Sequence, residues 1–184
     1  TADGSIELTS ASAGRDLNLT ALGGGVQGVS WRAANDISIW GLGDITATSV
    51  LASAGEITMT SADDLSVDFT SALGDVALSA ARNMALTNAS SSTGLLSVDA
   101  GEAVSLLAGS ARGAVTVTAG TGLQASMLSS ATSSVDATTA DGNLETQRVS
   151  AVEDVTRLER DDVGRIRHEL GHRVNHRSGR VVLH

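Results

Sequence analysis

The 184-residue chain has no cysteine, no proline and very few aromatic side chains. Without cysteine it forms neither a disulfide framework nor a thiol catalyst. Without proline, every residue keeps a backbone N–H to donate, which suits strands that are paired on both sides. Trp31, Trp40 and Phe69 are the only aromatic residues. The sequence therefore predicts a core of aliphatic side chains with alanine, threonine and serine, and it disfavours a site that stacks sugars on aromatic rings.

Lysine is also absent, and all twelve positive charges are arginines. Residues 1–150 carry 15 acidic residues against five arginines, net −10, whereas residues 151–184 carry six acidic residues against seven arginines, net +1. The acidic part disfavours nucleic acid and anionic membranes as partners. No stretch resembles a signal peptide or an apolar span of about 18 residues. We therefore expect no membrane insertion, and we interpret the chain as a fragment whose export signal, if it has one, lies upstream.

What the chain does contain is a repeat of 19 to 21 residues. Two series of apolar positions recur at this spacing, and each position opens a short alternation of apolar and polar residues. The first series is Ile6, Val26, Ile45, Leu65, Met84, Val104, Leu123 and Leu144. The second series is Leu17, Ile37, Ile57, Val76, Leu96, Val115 and Val135. A period this constant indicates a solenoid.

The segments within one repeat indicate which kind of solenoid the chain forms. Each period holds two alternating segments and two polar turns, without helical spacing. Leucine-rich repeats need an asparagine ladder, and calcium-binding nonapeptide repeats need Gly-Gly-x-Gly-x-Asp every nine residues; both are missing. We predict an all-β parallel β-helix over residues 1–148, in which equivalent aliphatic side chains stack inside. About seven coils, spaced about 4.8 Å apart, give a rod roughly 34 Å long.

Two features of the outer surface are candidate binding groups. Alternation points Trp40 outward, where its ring either marks a contact surface or lies over a turn. The residue before the second buried series is acidic in four successive coils: Asp16, Asp36, Glu56 and Asp75. Stacked carboxylates repel one another unless a cation or an arginine lies between them. They are therefore either a ladder for Ca²⁺ or another divalent ion, or acidic turn caps that face water.

The pattern changes at Val149, and apolar residues now recur at helical spacing. They are Val152, Val155 and Leu158, and then, after the candidate N-cap pair Asp161-Asp162, Val163, Ile166, Leu170 and Val174. This periodicity predicts an amphipathic helical segment within residues 149–184. Such a segment would act as a C-terminal cap or tail, covering unpaired backbone at the end of the β-helix.

The segment His168-Glu169-Leu170-Gly171-His172 matches the His-Glu-x-x-His pattern of zinc peptidases. On a helix both imidazoles reach one Zn²⁺, and Glu169 acts as general base on its water. His176 extends the series. However, the histidines lie opposite the apolar face of the predicted helix, and the segment is too short to build a peptidase cleft. A solvated helix face is the favoured interpretation, with a metal site at His168, His172 and His176 and a peptidase as alternatives.

The coils resemble the repeats of filamentous-haemagglutinin exoproteins, the large β-helical adhesins of two-partner secretion. The resemblance rests on two segments that resemble the family's small-Gly-Arg-Asp-Leu-x-Leu-x-Ala coil: Ala13-Gly14-Arg15-Asp16-Leu17-Asn18-Leu19-Thr20-Ala21 and Ala80-Ala81-Arg82-Asn83-Met84-Ala85-Leu86-Thr87. It covers about residues 4–146. It implies a right-handed β-helix on the bacterial cell surface or secreted from it, exported through an outer-membrane transporter. It also implies adhesion, or delivery of a C-terminal effector, as the function, without catalytic residues in the coils.

Three functions remain open from the sequence. The first is a non-enzymatic structural or adhesive segment of a secreted rod that binds a receptor on a host or neighbouring cell, or another protein, and needs no cofactor. The second is a stalk whose His-rich C-terminal element binds metal or acts as a zinc peptidase. The third is a carbohydrate-acting β-helix enzyme, which the scarcity of aromatic residues disfavours.

Overall fold

The computed structural model describes the backbone of residues 1–160 and 166–172 and the side chains of residues 1–156. The chain forms a parallel β-solenoid of about eight turns, each of about 20 residues. Every turn contributes one long and one short strand, and strands of each kind pair in their own sheet. The predicted all-β parallel β-helix is thereby confirmed, with eight turns in place of about seven. Its right-handed sense stays a prediction.

The long strands form an eight-stranded parallel sheet. They are β1 (Ile6–Ala13), β3 (Val26–Ala33), β5 (Ile45–Ala52), β7 (Leu65–Ala72), β9 (Met84–Ser91), β11 (Ala103–Ala111), β13 (Gly122–Ser130) and β15 (Asn143–Ser150). The remaining strands form a nine-stranded sheet. They are β2 (Leu17–Ala21), β4 (Ile37–Gly41), β6 (Ile57–Ser61), β8 (Val76–Ala80), β10 (Leu96–Ala100), β12 (Val115–Ala119), β14 (Val135–Thr139), β16 (Asp154–Arg160) and β17 (Ile166–His172).

Successive turns are in register at the positions that the repeat predicts. Ile37 pairs with Ile57, and Ile57 pairs with Val76. All three side chains are buried, so aliphatic groups form continuous columns along the inside of the rod. Burial of these columns is the main source of stability, because each fully buried Ile, Leu or Val side chain contributes roughly 1.5–3 kcal/mol.

Each long strand bends near its middle, and the bend adds an inner column that lies outside the two predicted series. In β5, Ile45 and Ala47 are buried before the bend, and Val50 and Ala52 are buried after it. Strand pairing skips Thr48 between them. A strict alternation of two does not predict this shift of phase. The added column is Ala11, Trp31, Val50, Thr70, Ala89, Gly109, Leu128 and Val149.

The two buried side chains that flank the bend, three positions apart in the chain, point into the same part of the lumen. A Cβ atom added to Gly109 would lie 2.9 Å from Leu106 Cδ2, so these two positions face each other. In six of the eight turns, one position of the pair is larger than the other. The six pairs are Leu8 with Ala11, Gly28 with Trp31, Ala47 with Val50, Leu86 with Ala89, Leu106 with Gly109, and Ala125 with Leu128, whereas Val67 with Thr70 and Thr146 with Val149 are pairs of similar size. The lumen thereby keeps a similar filling from turn to turn, as close packing requires.

Trp31 corrects the prediction of a core without large rings. Its side chain is fully buried, at 0% exposure. The indole occupies the space that a side chain at position 28 would need, and Gly28 leaves that space open. The indole Nε1 is buried without a hydrogen-bond partner among the described residues. A single large ring is therefore tolerated where the facing residue has no side chain.

The predicted C-terminal helix is wrong over the residues that the structure describes. Strand β15 runs through Val149, β16 adds to β14 in parallel, and β17 pairs with β16 in antiparallel fashion. The spacing of Val155 and Leu158 resembled a helix, but both lie in β16, paired with Val135 and Thr138 of the preceding turn. Pairing to an existing sheet edge thus overrides a short periodic pattern. Residues 161–165 and 173–184 lie outside the described residues.

The described part of the chain contains no helix that is long and apolar enough to cross a membrane.

Candidate binding surface

The short-strand sheet of the first three turns brings most of the predicted surface residues together. Its outward rows run along the rod because β2, β4 and β6 pair residue for residue. One row is Asn18, Ser38 and Thr58, and the next is Thr20, Trp40 and Thr60. Asp16, Asp36 and Glu56 precede the three strands and form an acidic edge beside the first row. We call this area the short-strand face.

Two carboxylates of the acidic edge, those of Asp16 and Asp36, accept hydrogen bonds from the backbone of the next turn. Asp16 Oδ1 accepts a hydrogen bond from the Asp36 N–H at 3.4 Å, and Asp36 Oδ1 accepts one from the Glu56 N–H at 2.9 Å. Asp75 Oδ1 does the same for the Leu95 N–H at 2.8 Å. An N–H donor therefore lies next to these carboxylates, as in a turn cap. Asp16, Asp36 and Asp75 act as caps between turns, and the divalent-ion ladder remains an untested alternative.

A shallow groove of about 280 Å³ lies along this edge, open to solvent. The three carboxylates form one side, and the polar row of Asn18, Ser38 and Thr58 forms the other. The groove therefore offers carboxylate, amide and hydroxyl groups. Asp75 lies one turn beyond and does not line it.

The opposite edge of the short-strand face is apolar. Trp40 is half-buried between Thr20 and Thr60 in the outward row, as alternation predicted. Leu22 and Leu42 follow strands β2 and β4 and are 46% and 49% exposed. The sequence-based search missed these two leucines, although their place in turns that elsewhere hold alanine or glycine was a usable signal.

A second acidic ladder, also missed from the sequence, precedes the long strands. Asp44 Oδ1 accepts from the Asp64 N–H at 3.2 Å, and Asp64 Oδ1 accepts from the Asn83 N–H at 2.9 Å. The Asn83 backbone N–H lowers the pKa of the Asp64 carboxyl from its ordinary value, and the Asn83 amide and Arg82 act in the same direction. Asn83 continues the ladder, because its own Oδ1 accepts from the Ala103 N–H at 3.4 Å.

Arg82 supplies counter-charge to this second ladder. Its Nη1 lies 3.0 Å from Asp63 Oδ1, and its Nε lies 3.6 Å from Glu102 Oε1. The hydrogen bond to Asp63 raises the pKa of Arg82. Ligand oxygens of Asp44, Asp63 and Asp64 lie within 4.8 Å of one another. Such a carboxylate cluster matches the ligands that Ca²⁺ prefers, and Arg82 offsets one of its three negative charges by pairing with Asp63.

Residues 168 and 172 of the His-Glu-x-x-His segment lie in strand β17, together with Glu169. In a strand, residues four apart are separated by about 13 Å, compared with about 6 Å in a helix. The helical spacing that lets two histidines share one Zn²⁺ is therefore absent from the backbone of this segment. His176 lies outside the described residues. A metal site at His168, His172 and His176 stays a prediction, but its helical premise is wrong.

No protein-family model matches the chain, and no curated protein or solved structure matches it either. The fold is therefore established from the strand register, and the resemblance to filamentous-haemagglutinin repeats rests on the sequence segments alone.

Proposed function

We propose that the chain is a non-enzymatic structural or adhesive segment of a large secreted bacterial surface protein. The observation that carries the proposal is the uninterrupted parallel stack of eight turns. Each turn adds about 4.8 Å of rod and repeats its outward rows in register. Such a rod holds surface groups at fixed distances along an extended face, which is how solenoids present binding surfaces.

The resemblance of the coils to filamentous-haemagglutinin repeats supports the finer part of the proposal. On this hypothesis the rod passes through an outer-membrane transporter and is displayed outside the cell. Its partner is a receptor on a host or neighbouring cell, or another protein. The net charge of −10 in residues 1–150 supports a protein partner over nucleic acid or anionic lipid.

The test is direct binding of the purified full chain to cells. Fluorescently labelled protein is titrated onto epithelial and bacterial cells with and without a chelator, and heat-unfolded chain serves as the control. We expect saturable binding that the chelator does not change, and no cleavage of a casein substrate. Failure to bind either cell type above the control would overturn the adhesive proposal. Cleavage lost in Glu169→Gln would instead favour the stalk with an active His-rich element.

A further inference from the structure

The short-strand face of the first three turns is acidic along one edge and apolar along the other, and nothing in the described chain covers it. We propose that this face docks a cationic amphipathic helix lying along the rod axis. The inference deepens the proposed function and rests on it, because it names the class of partner that the rod would bind.

The acidic edge has no counter-charge of its own among the described side chains, and its three carboxylates lie in adjacent turns. Asp16, Asp36 and Glu56 are exposed, and among the side chains of residues 1–156 no arginine comes within 4.0 Å of them. Asp63 and Glu102, in contrast, both meet Arg82. Three like charges in register create a negative potential that attracts a cationic partner and repels an acidic one.

The apolar edge supplies the second half of the docking surface. Leu22 and Leu42 lie in adjacent turns, which are joined by a hydrogen bond of 3.3 Å from the Leu42 N–H to the Ala21 carbonyl. Trp40 lies two residues before Leu42, in the outward row. Single exposed leucines are ordinary on a protein surface, but here two leucines and an indole lie on the same edge of one face. A partner with only positive charge would leave this edge uncovered.

The spacing and width of the short-strand face match a helix better than an extended peptide. The carboxylates recur about every 4.8 Å along the rod, and a helix recurs every 5.4 Å, so each of its turns brings one long cationic side chain to one carboxylate. An extended peptide repeats its side chains on one face about every 6.7 Å, so they do not match the spacing of about 4.8 Å between carboxylates. Asp36 and Trp40 are about 13 Å apart along β4, close to the 10–12 Å diameter of a helix.

The test uses a designed helical peptide of about four turns, with arginine on one flank and leucine on the adjacent flank, and a scrambled peptide of the same composition. Binding to the full chain is measured by calorimetry. The test variant is Asp16→Asn/Asp36→Asn/Glu56→Gln. Asparagine keeps the acceptor oxygen that each turn cap needs, as Asn83 does in the second ladder. The matched control removes three other exposed charges: Glu7→Gln/Asp68→Asn/Asp99→Asn.

We expect the test variant to weaken the designed peptide's binding about tenfold, because three exposed ion pairs are lost and each contributes about a twofold change in Kd. The control variant should change Kd by less than about threefold, and Leu22→Ala/Leu42→Ala should also weaken binding. Equal losses in the test and control variants, or equal affinity for the scrambled peptide, would show adventitious attraction to an acidic protein and overturn the inference. Self-association of the chain that the test variant abolishes would make a second copy the occupant and overturn it too.

The cell-binding assay separates this inference from the proposed function. If the test variant binds cells as well as the unaltered chain does, while peptide binding fails, the partner class is wrong and the adhesive rod stands. If the chain binds the peptide as expected but binds neither cell type, the docking inference is supported and the adhesive function is wrong.

Discussion

The facing pair Leu106 and Gly109 gives the sharpest test of the packing. Leu106→Ala removes a buried side chain and leaves a cavity, at a cost of about 3 kcal/mol in the free energy of unfolding. Gly109→Val adds volume where even a Cβ would lie 2.9 Å from Leu106 Cδ2, which costs about 2 kcal/mol by overpacking. If the two residues were independent, the double variant would lose about 5 kcal/mol.

We expect the double variant to lose only about 3 kcal/mol, because valine then fills part of the space that leucine leaves. Some strain remains, because a Cβ at position 109 also lies 3.1 Å from Leu128 Cδ2 and 3.2 Å from Leu96 Cδ2. The third turn already contains this combination as Ala47 and Val50, both buried. The coupling energy of about 2 kcal/mol is measured by urea unfolding followed by far-UV circular dichroism, with an unchanged m-value required in each variant. Leu78→Ala combined with Gly109→Val is the control, since Leu78 lies two turns away and should add independently. If the two single-variant losses in unfolding free energy simply add in the Leu106/Gly109 double variant, the side chains at these two positions do not share the same space in the lumen.

Three further predictions concern the ladders and the last turn. Asp36→Ala should cost about 1 kcal/mol in urea unfolding because the Glu56 N–H loses its acceptor, whereas Asp36→Asn should cost less; equal costs would contradict the cap. The pKa of Asp64 is lowered in the folded state, so its stabilisation is present above the unfolded pKa of about 3.9 and is lost as pH falls through the folded pKa. Asp64→Asn should therefore reduce the fall in the free energy of unfolding at acidic pH. If the fall is as steep as in the unaltered chain, the lowered pKa of Asp64 does not contribute to stability. In β16, Thr156→Val should be more stable than Thr156→Ala by up to about 1 kcal/mol, and the opposite order would favour the helix.

The repeat made most of the fold predictable. Ile57 and its equivalents recur at a constant spacing because a parallel stack demands the same side-chain type at the same place in every turn. The position of Trp40 followed from alternation in the same way. The column of Val50 and Leu128 did not, because the bend in each long strand shifts the alternation by one residue.

The C-terminal turn and the binding surface were harder to predict, for different physical reasons. Val155 and Leu158 are spaced as in a helix, and only the exposed edge of β14 decides that they pair as a strand. The acidic residues were predicted as a stack and Trp40 as a separate outward residue, but their arrangement on one face depends on the register between turns. Leu22 and Leu42 were overlooked because the repeat was defined by its buried positions, whereas these leucines differ from the alanine or glycine found at the same turn position in the other turns.

The bend also affects how this protein would evolve. Because the residues that flank it are three positions apart in the chain and face each other across the lumen, a change in the size of one favours an opposite change in the other. Related chains should therefore show correlated substitutions at a separation of three. That separation is normally taken as the imprint of a helix, so methods that infer secondary structure from covariation would misassign this all-β rod.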